Sequence, residues 1–495
     1  MSVQTQKQAE SSVVSEEKTS IFDDVIAATD KDSEKDYTQG LIKTFVEEAL
    51  EGTVVWQGNF TNTIDKAIKK IDEILSKQVT TILHSPKLQK IEGTWRGLQH
   101  LVKNTLCSTQ LKIKIFNTDK QTLLKSFHKA SEFDQSDLFK KVYEEEYGTA
   151  GGAPYGALLG DYEFTNHPDD IDLLKYISEI SSASFAPFIA SAASTILGLK
   201  SWSDIQTPLD LARIVDSPAY AQWNNFRKTD ESRFVALTMP RTLARRPYGK
   251  ATSPVEEFNF EEFSTNKDGI MYQADSSEYC WMNTSYVYGT ILTRAFSETG
   301  FCTAVRGVEN GGKVDGLPVH CFLSDDGEID LACPTEIGIT DRREAELSKL
   351  GFLPLCHYKN EDYAVFFGGQ TLNSPTQYSD PDATANSEIS ARIPYIFATS
   401  RIAHFLKVIA RDKIGSFMEK EDVEIWLNKW IIDYVNSNPR SGQALKARYP
   451  LAAAKIKVEE VPGKPGAYNA IAWLRPWLQL EELSTSLRLV AKIPE

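Results

Sequence analysis

No CxxC pair occurs among the six cysteines of the 495-residue sequence, Cys107, Cys280, Cys302, Cys321, Cys333 and Cys356. That absence excludes a cysteine-clamped zinc knuckle and a small disulfide scaffold, and reduced, buried thiols of a cytosolic protein are expected. The seven histidines, at 84, 100, 128, 167, 320, 357 and 404, form neither HxxxH nor HExxH, so the spacing that sets two imidazoles on one helix face for zinc is missing. There is no GxSxG elbow. Basic charge is short: 54 Lys+Arg stand against 68 Asp+Glu, a net charge of −14. Without a basic stripe no nucleic-acid partner is expected. Long apolar runs are missing as well. The start, "MSVQTQKQAESSVVSEEK", lacks the apolar core of a signal peptide. The uncharged run Ser181–Leu199 carries five serines, a threonine and a proline, so a buried helix is expected there and no direct membrane insertion. No repeat of solenoid length is found.

What is present can bury a large core: 41% of the residues are hydrophobic and 11% aromatic, in a chain long enough for two or three domains. The first forty residues differ, with four basic and nine acidic side chains and few large apolar ones, the composition of a flexible arm. One island interrupts it, "TSIFDDVIAATD". Ser20 can cap a helix with Asp23 three residues on, and Ile21/Val25 and Phe22/Ile26 are i,i+4 pairs. A helix of about nine residues does not persist alone in water and has to fold onto something.

The pattern is helical through Leu41–Leu50 and again through Ile64–Ile82, where Ile64, Ile68, Ile71, Leu75, Val79 and Ile82 make one stripe. Between them Val54, Val55 and Trp56, bounded by Gly52 and Gly58, form a short strand-like run with no hairpin partner nearby. "LKIKIFN" (111–117) alternates as a strand does. Residues 150 to 385 mix short strands and helices with Gly/Pro-rich loops. Helices are expected at about 390–412 and 421–436, the second with Val423, Trp426, Leu427, Trp430, Ile431 and Tyr434 on one face. Strand-like runs follow, ending in "SLRLVAKIPE". The fold class is therefore mixed α/β.

"GVENGGKV" (307–314) has the G-x-x-x-x-G-K spacing of a phosphate-binding loop. The mechanism fails: Val314 cannot ligate magnesium, and Gly316 and Pro318 stand where a helix should begin. The flanks "FCTAVRG" and "LPVHCFLS" read as strands, so the glycines serve a strand–loop–strand connection. "HPDD" (167–170) reads as a turn with a helix cap. Cys356 and His357, adjacent on a strand, are expected to face core and surface. "DRRE" (341–344) and "WRG" (95–97) read as structural ion pairs. No catalytic, cofactor-binding or metal-binding residues are assigned.

Seven stretches carry a resemblance in order and without large gaps, from about residue 64 to the C-terminus: "EGTWRGLQHLV", "SDLFKKVYEEEYGTAGGAPYGALLGDYEF", "SRFVALTMPRTLARRPYG", "RGVENGGKVDGLPVH", "CPTEIGITDRREAELSKLGFLPL", "RIAHFLKVIARDKIGSF" and "LRPWLQLEELSTSLRLVA". Together they resemble the large subunit of the type VI secretion contractile sheath, the TssC/VipB family. One departure is "SFAPF", with Phe185 where that family would have a histidine.

The resemblance implies a phage-tail-sheath-like body with a C-terminal domain like small phage baseplate proteins. Residues 1–60 would be an arm carrying the short helix and the candidate strand, 61–385 the body and 386–495 the C-terminal domain. It also implies partners: a small sheath subunit (TssB/VipA-like), further copies in a six-fold helical polymer, an inner tube of hexamers, a baseplate, and a ClpV-like AAA+ unfoldase that recycles contracted sheaths. The setting would be the bacterial cytoplasm, and the subunit would need no cofactor and no active site. In that frame Ile21, Phe22, Val25 and Ile26 form an unfoldase-recruiting helix. Val54, Val55 and Trp56 form an inter-protomer strand, pairing near Leu487–Ile493 of a neighbour. Ile64, Ile68, Ile71 and Leu75 face the partner. The alternatives are a phage-like or other contractile-device sheath, and a cytosolic enzyme with an unrecognised site.

Overall fold

The computed structural model describes residues 60–149, 151–266, 268–324, 326–359, 361–415, 419–463 and 467–479, with Tyr37, Gly40 and Thr44 ahead of them. The recruiting helix, the strand of Val54–Trp56 and the run "SLRLVAKIPE" lie outside the described residues. The chain divides into two compact units, one made of Met1–Thr81 with Tyr248–Glu262 and the other of Ile82–Pro247 with Phe263–Glu495.

In the smaller unit the main described element is α1 (Phe60–Leu83), whose last two residues belong to the other unit. The return segment closes on itself: Tyr248 N donates to the Glu262 carboxylate at 2.8 Å, and Glu262 N donates back to the Tyr248 carbonyl.

The larger unit is built on a six-stranded sheet of β1 (Leu158–Phe164), β2 (Phe188–Ala192), β3 (Val235–Met239), β4 (Lys313–Val314), β5 (Phe352–His357) and β6 (Ala364–Phe366), ordered β1-β2-β3-β5-β6-β4. The first four in that order are parallel, and β6 and β4 add antiparallel. β2 and β3 are buried along their whole length, as strands covered on both faces must be. Successive side chains alternate. Phe188, Ala190 and Ala192 of β2 and Val235, Leu237 and Met239 of β3 join one core, with Leu173, Leu174, Ile177 and Ile180 of a long helix. Ile189 and Ala236 join the other, with Val287, Tyr288 and Ile291 of a second helix.

The helices that matter below are α2 (Pro86–Lys103), α3 (Lys120–Lys129), α4 (Pro168–Ser184), α5 (Thr284–Thr299), α6 (Asp341–Lys349), α7 (Ile393–Lys413) and α8 (Lys420–Ile432). α4 and α5 cover the two faces of the sheet. At the start of α4 His167 stands at the N-cap and accepts from Asp169 N, with Pro168 at the first turn, so the "HPDD" cluster is a cap. Near the C-terminus α7 and α8 pack on a hairpin of β7 (Leu451–Glu460) and β8 (Tyr468–Pro476). A third core, including Ile402, Leu427, Ile431, Leu451, Ile456 and Val458, holds them together.

Two sequence expectations are corrected. Ser181–Leu199 is largely buried but is not one helix: α4 stops at Ser184, Phe185 takes a left-handed φ of 53°, and the chain turns into β2. Pro187 and the small residues Ala190 and Ala192 suit a central strand that leaves room for helices on both faces. "LKIKIFN" alternates as a strand does but pairs with no strand among the described residues. Alternation supplies two faces, and a ladder also needs an edge in register.

Candidate assembly surfaces

The glycine loop is structural. Gly307 (φ 72°) and Gly311 (φ 85°) sit where other residues are strained. Gly307 N donates to the Phe366 carbonyl and Gly312 N to that of Gly307. Arg294 of α5 donates one Nη2 to the carbonyls of Gly311 and Lys313, at 2.6 and 2.7 Å. The carbonyls thus face a fixed cation, the reverse of a cradle whose amides face phosphate. Lys313 pairs with Asp315 at 2.7 Å and lies 4.2 Å over the Tyr363 ring. Lys313–Val314, inside the loop by the sequence reading, forms β4, and Cys321–Leu323, within the expected second flank, is a strand of a separate small sheet. Phe301–Gly307, by contrast, makes only a bridge at Arg306.

The other charged runs also serve packing. Arg343 reaches Glu346 at 2.6 Å, and Arg96 shares Glu92 with Arg245, at 2.7 and 2.8 Å. Glu92 is held below the usual carboxylate range by those two guanidiniums, against the opposing effect of its burial. Cys356 is buried, burial pushes its thiol well up, and His357 beside it is half-exposed. Among the described residues no three His, Cys, Asp or Glu side chains are placed to hold a metal ion, and no helix is long and apolar enough to cross a membrane.

Exposed apolar side chains mark surfaces of another kind. On α1, Ile68, Ile71, Ile74, Leu75 and Ile82 are exposed, and Ile64 and Val79 are half-buried. α2 is apolar on two sides. Gly93, Gly97 and Leu101 are buried, with Gly97 so close to the Tyr286 ring of α5 that a methyl group would collide. On the opposite side Ile91, Trp95 and Val102 are exposed, Trp95 to 67%.

Among the described residues the β7–β8 hairpin has an unpaired edge on one side only. Asn428 of α8 donates Nδ2 to the Ile456 carbonyl at 2.7 Å and accepts from Ile456 N at 2.9 Å. Glu424 accepts from Val458 N at 2.9 Å. Side chains of α8 thereby occupy the outer edge of β7. Ile456 pairs with Ala472 and Val458 with Ala470, so the backbone groups of Ala470 and Ala472 also point away from the ladder. No described strand pairs with that edge of β8. Beside it Trp473 and Ile471 are exposed.

The end of α4 is clamped by α7. Lys407 Nζ donates to the Ala183 carbonyl at 3.0 Å, and its ammonium lies 4.7 Å over the Phe185 ring. Arg411 Nη1 donates to the carbonyls of Tyr147 and Thr149. Cations at a helix C-terminus complement its dipole. Burial lowers the pKa of Lys407. Sequence reading missed this clamp, because nothing in "RIAHFLKVIARDK" says which carbonyls lie opposite.

A body built on a sheet covered on both faces, with exposed apolar helix sides and, among the described residues, a β8 edge that no strand pairs with, has the form of a lattice subunit. The comparisons define that class. Residues 65–373 match the family described as EvpB/VC_A0108, tail sheath N-terminal domain, and residues 382–493 match its tail sheath gpW/gp25-like domain. The chain belongs to this family of tail sheath proteins and is a structural sheath subunit. The type VI secretion system sheath protein TssC1 of Pseudomonas aeruginosa strain PAO1 is 50% identical over 456 residues, covering 92% of this chain and 90% of that protein. Weaker likenesses include the sheath complex of an extracellular contractile injection system, PVC, in its contracted state (11% identity, TM-score 0.36, 64% of this chain and 68% of that one). Another is the baseplate of the anti-feeding prophage (11%, TM-score 0.37, 81% and 87%). At that level of superposition neither carries weight for fold or function.

Proposed function

We propose that this chain is the large subunit of a type VI secretion contractile sheath. The observation that carries the reading is the pair of tail-sheath matches, which together run from residue 65 to residue 493, supported by the 50% identity to a type VI sheath protein. On this reading the chain pairs with a TssB/VipA-like small subunit in the bacterial cytoplasm. The pairs polymerise as six-fold rings on a baseplate around a tube of hexamers, and contraction drives the tube outward. Heterologous contacts that do not close generate such a helical polymer. The work comes from the metastable lattice, so the chain needs neither active site nor cofactor.

The division is an arm (1–60), a body (61–385) and a C-terminal domain (386–495). Ile64, Ile68, Ile71 and Leu75 of α1 face the small subunit, a role that fits the exposure of the last three. The strand around Val54, Val55 and Trp56 adds to the C-terminal strands of a neighbour, near Leu487–Ile493 or along the open edge of β8. Main-chain ladders supply affinity in such additions. Ile21, Phe22, Val25 and Ile26 form a helix that a ClpV-like unfoldase takes into a groove.

Co-expression with the small subunit of the same organism, followed by negative-stain microscopy, tests the function. Long ribbed tubules are expected, and Ile68→Asp with Ile71→Asp should abolish both tubules and co-purification. A compact particle with or without the small subunit would overturn the reading.

A further inference from the structure

The outer side of α2 has the form of half a helix–helix seam. Ile91, Trp95, Leu98 and Val102 recur at intervals of four, three and four residues, the spacing of a heptad seam. At 100° per residue their mean direction lies about 130° round the helix from that of Gly93, Gly97 and Leu101, which pack inward. Three of the four are exposed and Leu98 is half-exposed, whereas apolar stripes on a monomer's surface are ordinarily small. Of the exposed lysines of this helix, Lys87 flanks the seam about 50° from its mean direction, and Lys90 and Lys103 lie about 110° from it on either side. They belong to a basic island. From Pro86 to Lys129 nine Lys and Arg face only two acids, Glu92 and Asp119, in a chain whose net charge is −14.

The partner of such a surface is an acidic amphipathic helix, and the sequence contains one. Ser20–Glu34, "SIFDDVIAATDKDSE", holds five acids and one lysine, with Ile21, Phe22, Val25 and Ile26 on one face in helical register. It is too short to be helical unaided. We propose that α2 is the docking site for this segment from a second copy of the chain, with Phe22 and Ile26 packed against Trp95 and Val102 and the acids toward Lys87 and the other exposed lysines of this basic stretch. The inference rests on reading Val54–Trp56 as a strand given to a neighbour, because the residues ahead of a donated strand are carried onto that neighbour. From Ile26 to Val54 the chain has reach to spare, up to about 90 Å at about 3.3 Å per residue. Docking uses the same four side chains as the proposed unfoldase contact.

The test uses full-length chains assembled with the small subunit. A photo-cross-linking phenylalanine analogue replaces Phe22 in copies carrying one tag, mixed with unmodified copies carrying another. Irradiation should join the two tags, with the adduct mapped by mass spectrometry to Ile91–Lys103. Trp95→Glu should cut its yield at least tenfold while tubules persist, since Trp95 lies largely outside the core. Should Trp95→Glu prevent assembly, Lys87→Glu with Lys103→Glu makes the same test, and raised salt should lower the yield of the unsubstituted sheath. An adduct confined to one chain, or mapped away from α2, overturns the proposal. The strand reading fails separately, by normal assembly of Val55→Pro.

Discussion

His404 of α7 donates its Nε2 proton to the carbonyl of Ser184, 3.1 Å away at the last turn of α4. A carbonyl only accepts, so the proton is on Nε2, and Nδ1 is buried without a partner. The link ties the region matched as the C-terminal sheath domain to the region matched as the N-terminal one.

Burial, with Arg401 and Lys407 adding to it, lowers the pKa of His404 to about 4, against the opposing hydrogen bonds to Ser184 and Phe185. In the unfolded chain a histidine titrates near 6.5. Between those values the unfolded chain binds a proton that the native one does not. The stabilisation is therefore complete above about pH 6.5 and falls as pH drops to 4, by on the order of 3 kcal/mol. His404→Gln keeps an N–H donor and removes the titration. Melting curves from pH 7 to 4 should show a shallower fall of Tm in the variant, and an unchanged slope would assign the acid sensitivity to other groups.

Gly97→Ala should cost about 1–3 kcal/mol, as overpacking does, because the added methyl meets the Tyr286 ring. Gly93→Ala should be at least as severe, since there the obstacle is the Trp281 carbonyl. Gln99→Ala, exposed on the same helix, is the control and should melt as the parent does.

Much of this was legible in the sequence. Period and length gave α1, α7 and α8 to within a few residues, because amphipathic spacing over four or more turns has one solution. The cap at His167 and the harmless glycine loop followed from local chemistry that tolerates few alternatives. The strand at Phe188–Ala192 was not legible. A short, wholly buried run has no polar face to reveal its period, and only the sheet decides it. Nor was the exposed side of α2, whose Ile91 and Trp95 look like core residues until Gly93 and Gly97 are seen to take the inner position.

Replacing Lys313 by Ala should leave assembly and contraction intact, since its partners are Asp315 and the Tyr363 ring. Gly311→Ala should be the damaging change in the same loop, losing about 1 kcal/mol or more, because φ is 85° and the methyl would meet the Ala304 carbonyl. Tubule formation and thermal melting of the two variants separate the alternatives. Loss of contraction in Lys313→Ala with normal assembly would revive a phosphate-binding role.

Val55→Pro should block assembly, since proline removes a ladder donor. Inserting a few residues near Asn59–Asn62 should be gentler: closing a longer loop costs little more, so the strands still pair. The slack should uncouple one ring's movement from the next, giving sheaths that assemble yet stay extended. Microscopy and a secretion assay read both. Contraction at the parental level in the lengthened variant would show that the linker transmits no force.

The contact of Asn428 and Glu424 with the rim of β7 closes that side of the hairpin to further strands. A bare two-stranded ribbon has two sticky rims and can recruit strands without limit from either, which is how runaway stacking begins. Here one rim is already answered from within the same protomer, to Ile456 in both directions and to Val458. If the donated strand proposed above pairs here, it meets a single address along β8 among the described residues, so each protomer would be linked once through this hairpin and from one side. A filament so linked would take a polarity and a fixed stoichiometry from two side chains on one helix.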